Sequence, residues 1–246
     1  MRKTFFLLSA ILFAAGIGFG QVFIETGSPV NPRDAFGSIN VYGSGNLAKG
    51  IPYNKIKGSP FWKEEWSTGI LYNYQDSVLA KCMVRINLAS QQVHFLNRRG
   101  EEMVPVSGIV RKVVIYDEID SNRILTVFHN NISEIRKQTK NREHFVQELN
   151  QGDVQLLKLV VRKVETGDSL FGTTKRYYFN DENEYYLRVN NRIERIRKLT
   201  REDFFALLPS ASKFNEWIRK EKLKFRDEPD YIRFLDYYNN NTVGEK

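Results

Sequence analysis

The sequence is poor in the residues that build disulfides and thiol chemistry. One cysteine, Cys82, occurs in 246 residues, so no disulfide can form within the chain. Since this cysteine does not follow the N-terminal apolar run, lipid attachment at a lipobox is excluded there. One face of a predicted strand carries Cys82, Val84 and Ile86, because these positions are two residues apart. We therefore expect a buried and inert thiol rather than a nucleophile.

Histidine is equally scarce. Only His94, His129 and His144 are present, and none lies in a His-Glu-x-x-His motif. The chain also lacks the Gly-x-Ser-x-Gly motif of serine hydrolases. A zinc site from His129, His144 and a carboxylate is the one metal centre considered, and structural histidines are the simpler explanation. The sequence thus favours a protein that is not an enzyme, and it implies no metal and no cofactor.

Carboxylates leave one enzymatic alternative open, because a glycosidase needs only two of them close together. Three clusters of acidic residues lie in predicted turns, where solvated acidic side chains are common. Two of these turns, 117–122 and 180–184, could also offer oxygen ligands to calcium, although neither has the twelve-residue pattern of a calcium loop. The clusters are Glu101 with Glu102, Asp117 with Glu118 and Asp120, and Asp181 with Glu182 and Glu184.

Long apolar runs are missing except at the N-terminus. Residues 5–19 are apolar, Arg2 and Lys3 precede them, and Gly18 and Gly20 supply small residues for cleavage. This pattern predicts a signal peptide over residues 1–20, cleaved before Gln21, and an exported product in the periplasm or outside the cell. An uncleaved membrane anchor is the alternative, but the run falls short of the ~20 residues that span a bilayer. No other predicted span follows it.

The sequence pattern of the remaining chain changes twice. Residues 21–57 form a lead-in rich in Gly, Pro and Ser, residues 58–198 alternate apolar and polar positions, and residues 199–246 adopt helical spacing. Strands are predicted over 70–74, 78–88, 92–96, 109–116, 124–129, 145–149, 154–164, 176–179, 185–189 and 192–196. We expect an α+β fold, in which an antiparallel β-rich meander or roll precedes a short C-terminal helical segment that packs on the sheet. A curved half-barrel and a sandwich are both compatible with this pattern.

Two predicted hairpins and three predicted helices complete this description. Strand 145–149 should pair with 154–164, although a helix over 141–149 competes with it. Strand 176–179 should turn across 180–184 into 185–189, placing aromatic residues across the hairpin. Thr200 with Asp203 caps a helix that Pro209 ends, Ser210 or Ser212 opens a second, and Asp227 opens a third. The aromatic residues are Tyr177, Tyr178, Phe179, Tyr185 and Tyr186.

Positive charge is concentrated near the C-terminus. The formal net charge is +8, and residues 188–226 contain twelve basic and five acidic residues. For an exported protein, the available polyanions are anionic lipids, lipopolysaccharide and acidic glycans, whereas nucleic acid is a poor candidate. A solvated basic helix face is the simpler explanation of the same charge. The predicted anion-binding residues are Arg195, Arg197, Arg219, Lys220, Lys222 and Lys224.

Three stretches carry a resemblance to known proteins: 58–62 (GSPFW), the tyrosine pairs 177–178 and 185–186, and the tail 217–225 with 237–239. In these stretches the chain resembles a family of uncharacterised exported proteins from Bacteroidetes-type bacteria. The resemblance implies export and architecture, and no activity. Three hypotheses follow: a non-enzymatic envelope or secreted binding protein, a lipid-carrying half-barrel with a helical lid, and a carbohydrate-active enzyme.

Overall fold

The computed structural model describes residues 47–48, 51–120, 122–138, 144–168, 175–190, 192–208 and 210–242. The predicted signal peptide and most of the predicted lead-in lie outside these residues. The strands are β1 Leu47–Ala48, β2 Ile51–Pro52, β3 Ile56–Lys57, β4 Ser67–Tyr72, β5 Val78–Asn87, β6 Gln92–Leu96, β7 Glu102–Met103, β8 Lys112–Tyr116, β9 Ile124–Asn130, β10 Phe145–Glu148, β11 Val154–Asp168, β12 Lys175–Val189 and β13 Arg192–Ile196. The helices are α1 Ser133–Gln138, α2 Arg201–Ala206, α3 Asn215–Lys220 and α4 Glu228–Thr242, with 3₁₀ turns at Tyr53–Lys55 and Ala211–Phe214.

Eleven of these strands form one open, mixed sheet. Its order is β13-β12-β11-β10-β9-β8-β4-β5-β6-β7, and every pair along this path is antiparallel. Along this path, strands that follow one another in the chain also pair in the sheet, with one exception: β8 pairs with β4 and not with β7. The short strand β3 adds a parallel pairing to β12, and β1 and β2 pair with each other. The expected α+β fold, an antiparallel meander followed by short helices, is confirmed.

Alternating burial along the strands explains why the sheet has two different faces. In β5, the buried residues Ala80, Cys82, Val84 and Ile86 alternate with more exposed ones. Cys82 is buried as predicted, and burial raises the pKa of its thiol to about 12. A thiol of this kind stays protonated at neutral pH, so it is a packing residue.

Three apolar clusters pack against the sheet. The interior cluster joins side chains of strands β4 to β11 and includes Leu71, Ile86 and Phe128. The helix cluster joins β11–β13 to the C-terminal helices through an aromatic core that includes Phe204 and Phe234. The outer cluster places Ile135 of α1 on the opposite face of the β10–β12 region. Their residues are at most 8% exposed, so each cluster is packed by its own side chains in the described chain.

The predicted hairpin across 180–184 is wrong. Strand β12 runs without interruption from Lys175 to Val189 and pairs over its whole length with β11. The polar residues stay in the strand because β11 offers basic partners, so that Arg162 binds Asp181 and Lys163 binds Glu182. As a consequence, the aromatic residues at 177–179 do not face those at 185–186, and Tyr177 lies opposite Thr166 of β11 instead.

Other local predictions divide between confirmed and wrong. Strand β10 pairs with β11, so the competing helix is wrong over the described residues 144–149, while 141–143 lie outside the described chain. The Thr200 cap is confirmed, because its hydroxyl accepts the Asp203 N–H at 3.3 Å. Ser210 makes no side-chain cap; its φ of 57° is left-handed, and a 3₁₀ turn follows before α3. The sequence patterns missed α1 and β7, which are too short to show a period.

Two polar side chains, Arg162 and Asn239, each join the sheet to another segment of the chain. Arg162 of β11 binds Asp181 through Nε at 2.6 Å and Nη2 at 2.8 Å, and its Nη1 donates to the carbonyls of Ser59 and Phe61 at 2.7 and 2.6 Å. Asn239 of α4 accepts the Val154 N–H and donates to the carbonyls of Gln151 and Val154. The first holds segment 59–62 on the sheet, and the second docks the last helix on the β10–β11 turn.

Candidate basic surface

Two basic loops of the C-terminal region meet at one buried tyrosine. The Tyr231 hydroxyl of α4 lies 2.8 Å from the carbonyl oxygen of Leu199 and 2.8 Å from that of Phe225. Its single proton is shared between the two carbonyls, and burial raises the pKa of Tyr231 to about 12. The chain after β13 and the chain after α3 are therefore neighbours, although they are far apart in sequence.

Arg201 strengthens the same junction. Its guanidinium carbon lies 5.1 Å from the Phe205 ring centre and 5.6 Å from that of Phe225, and Nη2 donates to Asn215 Oδ1 at 2.8 Å. The side chain therefore links the start of α2 to the loop after α3 while its charge stays exposed. We call the exposed basic side chains of these two loops the basic surface; they are Arg197, Lys198, Arg201, Lys222, Lys224 and Arg226.

The nearby acids are mostly engaged within the fold. Asp203 and Asp230 accept backbone N–H groups, Asp203 from Lys198 and Asp230 from Lys224 and Phe225. Glu221 binds Arg233, and Glu228 binds Lys158. By contrast, no ion pair within the described chain involves a residue of the basic surface. Folding thus leaves an excess of positive charge toward the solvent.

The structure distributes the six predicted residues over more than one place. Arg197, Lys222 and Lys224 belong to the basic surface, while Arg219 and Lys220 lie just before it in the last turn of α3. Arg195 lies on β13 and binds Glu184 at 3.0 Å. Sequence reasoning missed Arg201 and the organising role of Tyr231. No local pattern identifies them, since both act through contacts that are distant in the sequence.

Replacing Tyr231 with phenylalanine should lower the free energy of unfolding by about 2 kcal/mol, because the two buried carbonyls lose their shared donor. Urea unfolding followed by circular dichroism measures this change. Tyr237→Phe is the matched control: its ring stacks on Trp217 at 3.9 Å, and its hydroxyl makes no hydrogen bond with a described residue. Equal stability losses in the two variants would show that the Tyr231 hydroxyl does not join the loops.

The three acidic clusters offer little to a glycosidase mechanism. Arg123 and the backbone N–H groups of Ile119 and Asp120 hold the pKa of Asp117 at about 2. Arg162 likewise lowers the pKa of Asp181. A glycosidase requires one carboxylic acid that stays protonated, hence a raised pKa, whereas these two carboxyl groups are shifted the other way.

Two of the three histidines, His94 and His129, lie beside carboxylates in separate places. His94 Nδ1 lies 2.6 Å from Glu102 Oε1, which also binds Arg85 at 2.7 Å, and Phe61 covers the Arg85 guanidinium at 3.7 Å. His129 Nε2 lies 2.9 Å from Glu148 Oε1. Across the described ranges, no group of three or more His, Cys, Asp or Glu side chains is arranged to hold a metal ion.

Comparisons with protein-family models, with curated proteins and with solved structures found no match to this chain. The resemblance to exported Bacteroidetes proteins therefore stays a prediction. Among the helices of the described chain, none combines the length and the apolar character needed to cross a bilayer.

Proposed function

We propose that this chain is an exported, non-enzymatic binding protein whose basic surface associates with an anionic lipid surface of the cell envelope. The observation that carries the proposal is the junction at Tyr231, which places two basic loops side by side while the neighbouring acids are used inside the fold. Clustered lysines and arginines attract anionic headgroups, with about 1 kcal/mol contributed by each residue near the membrane surface.

The other two hypotheses have weaker support. A lipid carrier of the half-barrel type needs an enclosed apolar interior, whereas the sheet is open and its interior cluster is packed by side chains such as Leu71, Ile86 and Phe128. A carbohydrate-active enzyme needs a pair of carboxyl groups with different proton affinities, and ion pairs occupy Asp117 and Asp181. Neither observation affects binding at the basic surface.

The double variant Lys222→Gln with Lys224→Gln should bind vesicles of phosphatidylglycerol and phosphatidylcholine about 30-fold more weakly than the unchanged protein. Two neutralised lysines correspond to about 2 kcal/mol of attraction. Vesicle co-sedimentation at low salt measures the effect, and wild-type binding should itself weaken as salt is added. Both lysines are exposed and lack ion pairs within the described chain, so the fold should tolerate the changes.

Lys81→Gln with Arg99→Gln is the matched control, because both residues are exposed and the net charge changes by the same amount. This variant should bind the vesicles as the unchanged protein does. Equal weakening in both double variants would show that net charge alone governs binding and would contradict a localised surface. Binding to acidic glycans but not to phosphatidylglycerol would reject the lipid assignment.

A further inference from the structure

A cleft of about 420 Å³ lies between the β5–β6 turn and the loop that precedes β8. Buried apolar side chains form much of its wall, among them Val93, Val110 and Phe145. Val106 stands at the cleft with 46% of its surface exposed. The cleft is separate from the basic surface in sequence and in its lining residues.

Its described lining carries no Asp, Glu, Lys or Arg, and His144 is its one titratable side chain. The chain as a whole is 27% Asp, Glu, Lys and Arg, but none of these four types occurs among the described residues that line the cleft. Hydrogen-bonding capacity comes instead from neutral groups such as Ser90, Gln92 and Asn130. Apolar walls with a few neutral polar groups are typical of sites for small uncharged ligands.

Asn130 presents a buried acceptor that the described fold does not use. The residue is 6% exposed, and its Nδ2 donates to the Val110 carbonyl at 3.1 Å. Its backbone N–H donates to the Arg111 carbonyl at 2.7 Å, whereas its Oδ1 has no hydrogen-bond partner among the described residues. Buried polar atoms rarely stay unpaired, so this oxygen suits a donor supplied by a ligand.

Gln91 fixes the part of the wall that the β5–β6 turn forms. Its Nε2 donates to the carbonyls of Leu88 and Val160 at 2.7 and 2.8 Å, and its Oε1 accepts the Phe145 N–H at 3.0 Å. These bonds join the β5–β6 turn to β10 and β11. The cleft is therefore formed before any ligand enters, which lowers the entropic cost of binding.

We propose that this cleft binds a neutral sugar ring, with a ring hydroxyl donating to Asn130 Oδ1 once the Asn130 side chain turns toward the cleft. A pyranose combines an apolar face with a rim of hydroxyl groups that both donate and accept, which matches apolar walls bearing Ser90 and Gln92. The described lining holds no carboxylate, so a basic sugar would find no counter-charge there. This site is independent of the lipid-binding proposal.

The test is a titration of the ¹⁵N-labelled protein with four neutral ligands, N-acetylglucosamine and the methyl glycosides of glucose, galactose and mannose. We expect at least one to shift amide signals of residues 89–93, 104–110 and 130. N-acetylglucosamine and glucosamine form a matched pair that differs in charge, so the cationic sugar should bind about tenfold more weakly. Absence of shifts at the cleft with all four ligands, or equal binding of glucosamine, would overturn the proposal.

A cleft variant tests the location. Val106→Trp should fill the mouth and weaken binding about tenfold or more, whereas Ile119→Trp, at a position 98% exposed outside the cleft lining, should leave binding unchanged. Unchanged affinity in Val106→Trp would place the sugar elsewhere and reject this site. If acetamide alone reproduced the shifts of N-acetylglucosamine, an amide rather than a sugar ring would be the recognised group, and the assignment would fail.

Discussion

Asn239→Ala should lower the free energy of unfolding by about 3 kcal/mol. The side chain is 6% exposed and makes three hydrogen bonds to the backbone of the β10–β11 turn. Truncation would leave the buried Val154 N–H without this acceptor, at a cost of about 1–3 kcal/mol, and would also remove the packing of a buried side chain. Asn150 Nδ2 would still donate to the carbonyls of Gln151 and Val154. Urea unfolding monitored by circular dichroism measures the loss.

Asn240→Ala is the matched control for Asn239, since it is the same change at the next, exposed position of the helix. Its effect should stay within about 0.5 kcal/mol. Gly152→Ala offers a second approach to the same contact: Gly152 has a φ of +120°, and an added Cβ would lie 2.4 Å from Asn239 Nδ2. Stability close to that of the unchanged protein in both Asn239→Ala and Gly152→Ala would show that this docking contact is not needed.

Arg162→Ala should destabilise the fold by about 3 kcal/mol. Its side chain is only 16% exposed, forms a two-pronged ion pair with Asp181, and donates to two carbonyls of segment 59–62. Removing it leaves two part-buried carbonyls without their charged donor, and a hydrogen bond to a charged group contributes about 1.5–3 kcal/mol. The ion pair with the exposed Asp181 adds less. The same denaturation experiment measures the change.

Two neighbouring substitutions separate geometry from charge. Arg162→Lys keeps the charge but loses the planar fork, so most of the stability loss should remain. Lys163 is the next residue of β11 and forms an exposed ion pair with Glu182. Lys163→Ala removes this pair and should lower the free energy of unfolding by less than about 1 kcal/mol. If lysine restored full stability at position 162, the carbonyl contacts of the guanidinium would have no role in holding segment 59–62.

Much of the fold was predictable because period-two patterns were strong. The predicted strands 92–96 and 192–196 have the bounds of β6 and β13, and 78–88 differs from β5 by one residue. The error at 180–184 has a clear cause: a run of Asn, Asp and Glu is typical of turns, but in β12 these residues face basic side chains of β11. Cross-strand partners override local turn preference, and they are invisible until the register is known.

The candidate sites were predictable only in part. Composition indicated the basic segment, because charge excess is additive along the chain. It could not show that Tyr231 joins the loops after β13 and α3, nor that Arg195 binds Glu184 on another strand. The cleft near Asn130 gave no sequence signal, since its lining comes from five separated parts of the chain that share no common pattern.

Strand β11 contributes to all three apolar clusters, with Val160 in the interior cluster, Leu156 in the helix cluster and Leu157 in the outer cluster. Fifteen consecutive residues therefore connect the packing of the sheet, α1 and the C-terminal helices. We expect a disturbance in any one of these packing regions to reach the other two through the same strand. The part of the chain that the structure describes should then unfold as a single cooperative unit, in which the basic loops depend on the sheet for their shape.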